Sequence, residues 1–219
     1  AGYARRRLRQ NGIRVLTGTP LSEITGTERA DGVLANGTRI GADLVVLAIG
    51  IRPATTFLGG SGLAMEKGAI VVDEMMRTNI PDVYAAGDCA LVRNQQTRQP
   101  QWSAMGSTAN ITARALACTM TGTETAYGGC LGTGVVRLGE GFNAGRTGLT
   151  EAQAREAGYE PVTVVCASDD KAHYYPGSSF FMTKLIADRS THQLLGIQVL
   201  GSGVDKMIYI AVTGIAAGM

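Results

Sequence analysis

The phrase Thr78-Asn79-Ile80-Pro81-Asp82-Val83-Tyr84-Ala85-Ala86-Gly87-Asp88-Cys89-Ala90 carries the strongest chemical signal in this chain. Residues 83–86 are apolar or small and are stopped by Gly87, the pattern of a short buried strand. Asp88 follows directly at the carboxyl end of that strand, where ligands sit in open α/β sheets. A glycine there lets the backbone approach a ligand closely, and an ionised carboxylate only accepts hydrogen bonds. The pair suits a partner rich in hydroxyls, such as a ribose or ribityl chain. The same dipeptide also reads as a plain strand end whose aspartate caps the next segment.

Two further places hold candidate chemistry. Trp102-Ser103-Ala104-Met105-Gly106 precedes a helical pattern running to about Met120. A helix start presents free N–H groups and partial positive charge, which would stabilise negative charge developing on a ligand. An ordinary core helix with Ser103 as its N-cap fits the same residues. His173-Tyr174-Tyr175-Pro176-Gly177 is the other. Two adjacent tyrosines in extended chain face opposite ways, so one is expected to be buried and one presented. A loop held by aromatic packing is the alternative.

No metal site is expected. His173 and His192 are the only histidines, and no cysteine or carboxylate cluster joins them at ligand spacing. Cys89, Cys118, Cys130 and Cys166 form no Cys-x-x-Cys pair and read as reduced, mostly buried thiols. A net charge of +2 gives no ground for a nucleic-acid partner, and Arg5-Arg6-Arg7 with Arg9 reads as the solvated face of an opening helix. No apolar run approaches the length that spans a bilayer, and no signal peptide is visible. The sequons Asn36-Gly37-Thr38 and Asn110-Ile111-Thr112 read as chance matches, in a turn and in a helix.

The phrase from Thr78 to Ala90, with Gly68-Ala69-Ile70-Val71-Val72-Asp73 and Met76-Arg77-Thr78 ahead of it, resembles the second flavin-binding motif of the pyridine nucleotide-disulfide oxidoreductases. This family includes CoA-disulfide reductase, NADH oxidase and NADH peroxidase, and the resemblance extends over nearly the whole chain. It implies that Gly87 and Asp88 meet the ribityl chain of FAD, and that the backbone amides of Met105 and Gly106 meet the flavin ring edge. It implies NAD(P)H as co-substrate, electrons passed to a disulfide such as that of CoA or to an oxygen species, and a homodimer; the reduced cysteines point to a cytoplasmic location. The Tyr-Tyr-Pro-Gly stretch is similar to that of CoA-disulfide reductases, where a tyrosine reaches the partner subunit's active site. Either Tyr174 or Tyr175 would hold that role.

The family's two Gly-x-Gly-x-x-Gly turns and its redox-active cysteine have no counterpart here. The expectation is a C-terminal piece of a longer flavoenzyme that is inactive by itself. A non-catalytic dimerisation or interaction module without cofactor is the rival reading.

The fold expected around these residues is mixed α/β and α+β. The resemblance implies incomplete Rossmann-type halves, with residues 1–57 the rear of the NAD(P)-binding domain and 58–126 the returning part of the FAD-binding domain. It likewise implies that residues 127–219 are an antiparallel-sheet-plus-helices dimerisation domain, truncated at its C-terminus. In the first part, 1–11 reads as a helix capped by Gly12, 13–17 as a strand, 33–40 as a hairpin on Asn36-Gly37, and 43–49 as a strand buried on both faces. The middle offers strands at 69–72 and 83–86 and the helix from 103. The last part offers paired strands at 131–138 and 143–147, a helix from Thr150, strands at 162–167, 180–188 and 194–200, and a closing helix running to Met219. That helix carries an apolar stripe on Val204, Met207, Ile208, Ala211, Val212 and Ile215.

Overall fold

A computed structural model describes residues 2–123 and 125–219. The chain divides into two compact units at Arg52/Pro53.

The first unit opens with helix α1 (Gly2–Gln10). Gly12 at φ 77° supplies the left-handed residue that ends it. Strands β1 (Leu21–Thr25), β2 (Gly32–Ala35) and β3 (Thr38–Gly41) form an antiparallel sheet in that order. Asn36 and Gly37 both take positive φ, at 48° and 74°, as a two-residue hairpin turn requires. Neither 13–17 nor 43–49 is a strand here. Leu44 is 78% exposed and Ile49 85%, and no described strand pairs with this run. An apolar run becomes a buried strand only when neighbours supply its hydrogen bonds and cover both faces.

The second unit has two sheets. Strands β4 (Met65–Glu66), β5 (Ala69–Val71), β6 (Ala90–Arg93) and β7 (Pro100–Trp102) pair in sequence order. Only β5 and β6 run parallel among them. Helix α2 (Gly106–Met120) follows β7. Ile70, Val72, Met76, Ala85, Ala90, Val92 and Ala115 form the core beneath it. Residues 83–86 make no strand. Tyr84 forms a single bridge to Arg77, with bonds from Thr78 N–H to Val83 O and from Ala85 N–H to Met76 O. Their pairing is one-sided, so the ladder never lengthens.

The remainder is a five-stranded antiparallel sheet. It comprises β8 (Gly134–Gly139), β9 (Phe142–Gly148), β10 (Pro161–Asp169), β11 (Phe180–Asp188) and β12 (Leu194–Gly201), in the order β10-β11-β12-β9-β8. Helix α3 (Glu151–Glu156) starts on a capping box, with the Thr150 hydroxyl accepting from Gln153 N–H and the Gln153 amide oxygen accepting from Thr150 N–H. Glu151 ties this helix to the sheet through Lys184, at 2.6 Å. Helix α4 (Val204–Ala216) lays its stripe on the other side, burying Val204, Ile208 and Ala211 against Ile197 and Val199. It stops at Ala216 rather than continuing to Met219, because Met219 N–H returns to Gly214 O and Gly218 turns at φ 69°.

Candidate functional site

Gly87 and Asp88 occupy a short 3-10 turn, Gly87–Cys89, between residues 83–86 and β6. Gly87 sits at φ 80°, a conformation L side chains rarely adopt. Its N–H donates to Thr112 Oγ1 of α2 at 3.1 Å. Asp88 O accepts from the indole N–H of Trp102 at 2.7 Å. The Asp88 side chain is exposed, and among the described residues its carboxylate has neither an ion pair nor a hydrogen bond.

Met105 is the N-cap of α2, in extended backbone and without a side-chain cap. Ser103 is therefore not the N-cap; its hydroxyl bonds Thr108 Oγ1 at 2.9 Å instead. Met105 N–H donates to Ser103 O at 3.0 Å. Gly106 opens the helix with an amide that has no acceptor among the described residues. The turn thus lies against α2, bonded to Thr112 in the helix's second turn and to Trp102 at the end of β7.

Behind the helix start lies a cavity of about 210 Å³, lined by Ser103, Met105, Thr108, Tyr127, Cys130 and Val212 among others. Burial pushes both the Cys130 thiol and the Tyr127 phenol above their ordinary ranges, so both stay neutral near pH 7. The cavity places Val212 of α4 within reach of the residues that start α2. Cys130 is the one buried cysteine; Cys89 and Cys118 are half-buried and Cys166 is exposed, against the expectation of mostly buried thiols. Among the described residues no cluster of His, Cys, Asp or Glu could hold a metal ion.

Tyr174 and Tyr175 lie apart, in the connection between β10 and β11. Both are exposed, at 74% and 57%, so the expected division into one buried and one presented ring does not occur. The segment is turned rather than extended: Tyr175 N–H donates to Ala172 O and Ser178 N–H to Tyr175 O. Tyr174 meets the rings of His173 and Tyr175, with centroids 5.6 and 5.4 Å away. No hydrogen bond or ring contact among the described residues joins them to Asp88.

The sequence reading named Trp102 ahead of the helix start without giving it a role, and it left out Thr112. Two signals pointed to them: Trp102 is the only tryptophan, and Thr108 and Thr112 sit one helical turn apart on the same face of the helix.

Residues 1–110 match the pyridine nucleotide-disulphide oxidoreductase family, and residues 141–219 match its dimerisation domain. The chain belongs to this family of oxidoreductases. It is 34% identical over 196 residues to an NAD(P)H sulfur oxidoreductase (CoA-dependent) of Pyrococcus furiosus, covering 89% of this chain and 44% of that protein. The NAD-dependent persulfide reductase structure from A. fulgidus superposes with a TM-score of 0.92 at 34% identity, over 100% of this chain and 41% of the other. An FAD-dependent pyridine nucleotide-disulphide oxidoreductase from Desulfovibrio vulgaris gives 0.83 at 30% identity, over 100% and 53%. The chain thus spans less than half the length of the curated relative and about half or less of these structures.

Proposed function

We propose that this chain is the rear part of a cytoplasmic, homodimeric FAD-dependent oxidoreductase that moves electrons from NAD(P)H to a sulfur acceptor of the CoA-disulfide or persulfide kind. Residues 1–57 would belong to its NAD(P)-binding domain, 58–126 to its FAD-binding domain and 127–219 to its dimerisation domain. The observation that carries the reading is the free Asp88 carboxylate on a glycine turn bonded to the start of α2.

The residues present fit a flavin. Asp88 has its acceptor capacity unengaged, as hydroxyls of a ribityl chain require. Gly87 supplies a positive φ and no side chain, so the turn stays low beneath a ligand. The open amide of Gly106 and the helix dipole favour negative charge at the ring edge. Met105 contributes through its place at the cap, since its own N–H is engaged with Ser103 O. When bound, FAD supplies the hydride and electron chemistry, and the protein binds and orients it. Tyr174 or Tyr175, both exposed on the β10–β11 connection, would reach the acceptor in the partner subunit.

The test is a visible spectrum of the full-length protein with NAD(P)H oxidation followed against CoA disulfide, CoA persulfide and oxygen. A yellow protein reducing a sulfur acceptor is expected, with flavin lost in Asp88→Ala. Turnover with oxygen alone replaces the acceptor by an oxygen species. A colourless full-length protein without NAD(P)H oxidation refutes the reading and leaves the interaction module. The 219 residues alone are expected to be colourless and inactive.

A further inference from the structure

We propose that Trp102 and Thr112 are positioning residues that fix the Gly87–Asp88 turn against the start of α2, and so set the spacing between the Asp88 carboxylate and the Gly106 amide. This rests on the flavin reading above. Two independent bonds make the fixture. On one side of the turn, Gly87 N–H donates to Thr112 Oγ1 at 3.1 Å. Thr112 is fully buried, and its hydroxyl in turn donates to Thr108 O at 2.8 Å. A hydroxyl has one hydrogen to give and lone pairs to accept, so this group links the turn to the helix backbone in a single chain. On the other side, Trp102 Nε1–H donates to Asp88 O at 2.7 Å. An indole nitrogen only donates, so the direction of that bond is fixed.

The placement of the two donors gives the device its use. Trp102 is the last residue of β7, paired opposite Leu91 of β6. Strand β6 begins immediately after the turn, and α2 begins four residues after Trp102. The indole therefore bonds the exit of the turn to the entry of the helix, while Thr112 bonds its start to the second turn of the same helix. Main-chain groups of both Gly87 and Asp88 are engaged, and the Asp88 carboxylate is left without a partner among the described residues. Gly87 approaches α2 closely enough that an added Cβ would lie 3.8 Å from Ala109 Cβ, an ordinary contact. Packing alone would let the turn slide along the helix surface; the two bonds are directional and stop it. Shifts of about 1 Å in positioning groups are enough to lower catalysis a hundredfold.

The experiment compares wild type, Trp102→Phe, Thr112→Val and Thr112→Ser in the full-length protein, measuring the FAD dissociation constant and, at saturating FAD, the flavin midpoint potential and visible band shape. Trp102→Phe and Thr112→Val should each weaken FAD binding about 3- to 10-fold, the effect of one net hydrogen bond. Both should move the potential to more negative values, because the helix-start amide is no longer aligned with the ring edge. Thr112→Ser keeps the hydroxyl and should stay within about twofold of wild type. The proposal is overturned when both variants bind FAD with wild-type affinity and potential, or when Thr112→Ser behaves as Thr112→Val does, which would assign the effect to packing. A wild type that holds no flavin overturns the flavin reading itself and this proposal with it, an outcome distinct from a normal wild type with silent variants.

Discussion

Replacing Gly145 by alanine should loosen the seat of α4 on the dimerisation sheet. Gly145 lies on β9 opposite Val199, and it has no positive φ, so alanine meets no backbone strain there. The obstacle is space. An added Cβ would sit 2.5 Å from Val204 Cγ1, 2.9 Å from Ile208 Cγ1 and 3.2 Å from Val135 Cγ2. Val204 and Ile208 are 0% and 1% exposed, and both are β-branched, so neither can swing aside. Overpacking of this kind costs about 1–3 kcal/mol, and replacing a strand glycine returns about 0.5–1 kcal/mol. At contacts of 2.5 and 2.9 Å the steric term lies in the upper half of its range, so it wins and leaves a net loss of about 1–2.5 kcal/mol. For a chain of this length that lowers Tm by about 2–10 °C. Thermal and urea unfolding of Gly145→Ala, Val204→Ala and the double variant give the decisive comparison. Val204→Ala alone should cost about 1–3 kcal/mol by opening a cavity. In the double variant the new methyl occupies the vacated space, so the combined loss should fall short of the sum by at least about 0.5 kcal/mol. Strict additivity, or a neutral Gly145→Ala, refutes the steric argument.

Three further outcomes follow from particular contacts. Thr150→Ala removes the hydroxyl half of the α3 capping box, leaving the backbone bond from residue 150 N–H to Gln153, and should lower stability by about 0.5–2 kcal/mol, read by urea unfolding, with Thr150→Ser close to wild type. Asp188 is 2% exposed, and its carboxylate accepts from Ser190 Oγ, Thr191 N–H, Glu160 N–H and Thr191 Oγ1, which hold it well below the usual carboxylate range. A lowered folded value means stability that is fully present above the unfolded value and is lost as pH falls. Wild type should therefore lose Tm below about pH 4, whereas Asp188→Asn should be less stable at neutral pH and flatter in acid; parallel curves would contradict this. Tyr174→Phe and Tyr175→Phe should each leave Tm within the scatter of exposed substitutions, while one of them slows turnover of the sulfur acceptor in the full-length protein.

Elements set by neighbouring residues were legible from the chain. Asn36-Gly37 forms its hairpin, Gly12 ends α1, Thr150 and Gln153 start α3, and the spacing of Val204, Ile208, Ala211 and Ile215 lays α4 on its sheet. The turn and caps need only contacts a few residues away, and the α4 stripe is legible from its helical spacing alone. Runs 43–49 and 83–86 carry strand composition yet make no strand, because pairing depends on partners far along the chain. Asp188 falls at the end of the strand expected over 180–188, and nothing in its neighbours along the chain marks it as buried. Its burial came from Glu160, twenty-eight positions away, donating into the same carboxylate.

The residue types of this protein fixed its kinship and marked its candidate site in outline: a glycine able to take positive φ, a carboxylate beside it, a helix start downstream. Those are properties of single residues and short spacings. Which amide stays open at that helix start, which carboxylate is left unengaged, and that Trp102 and Thr112 hold the two segments together were decided by tertiary structure alone. Hydrogen bonds are directional and short-ranged, so their partners exist only once distant stretches have been brought within about 3 Å.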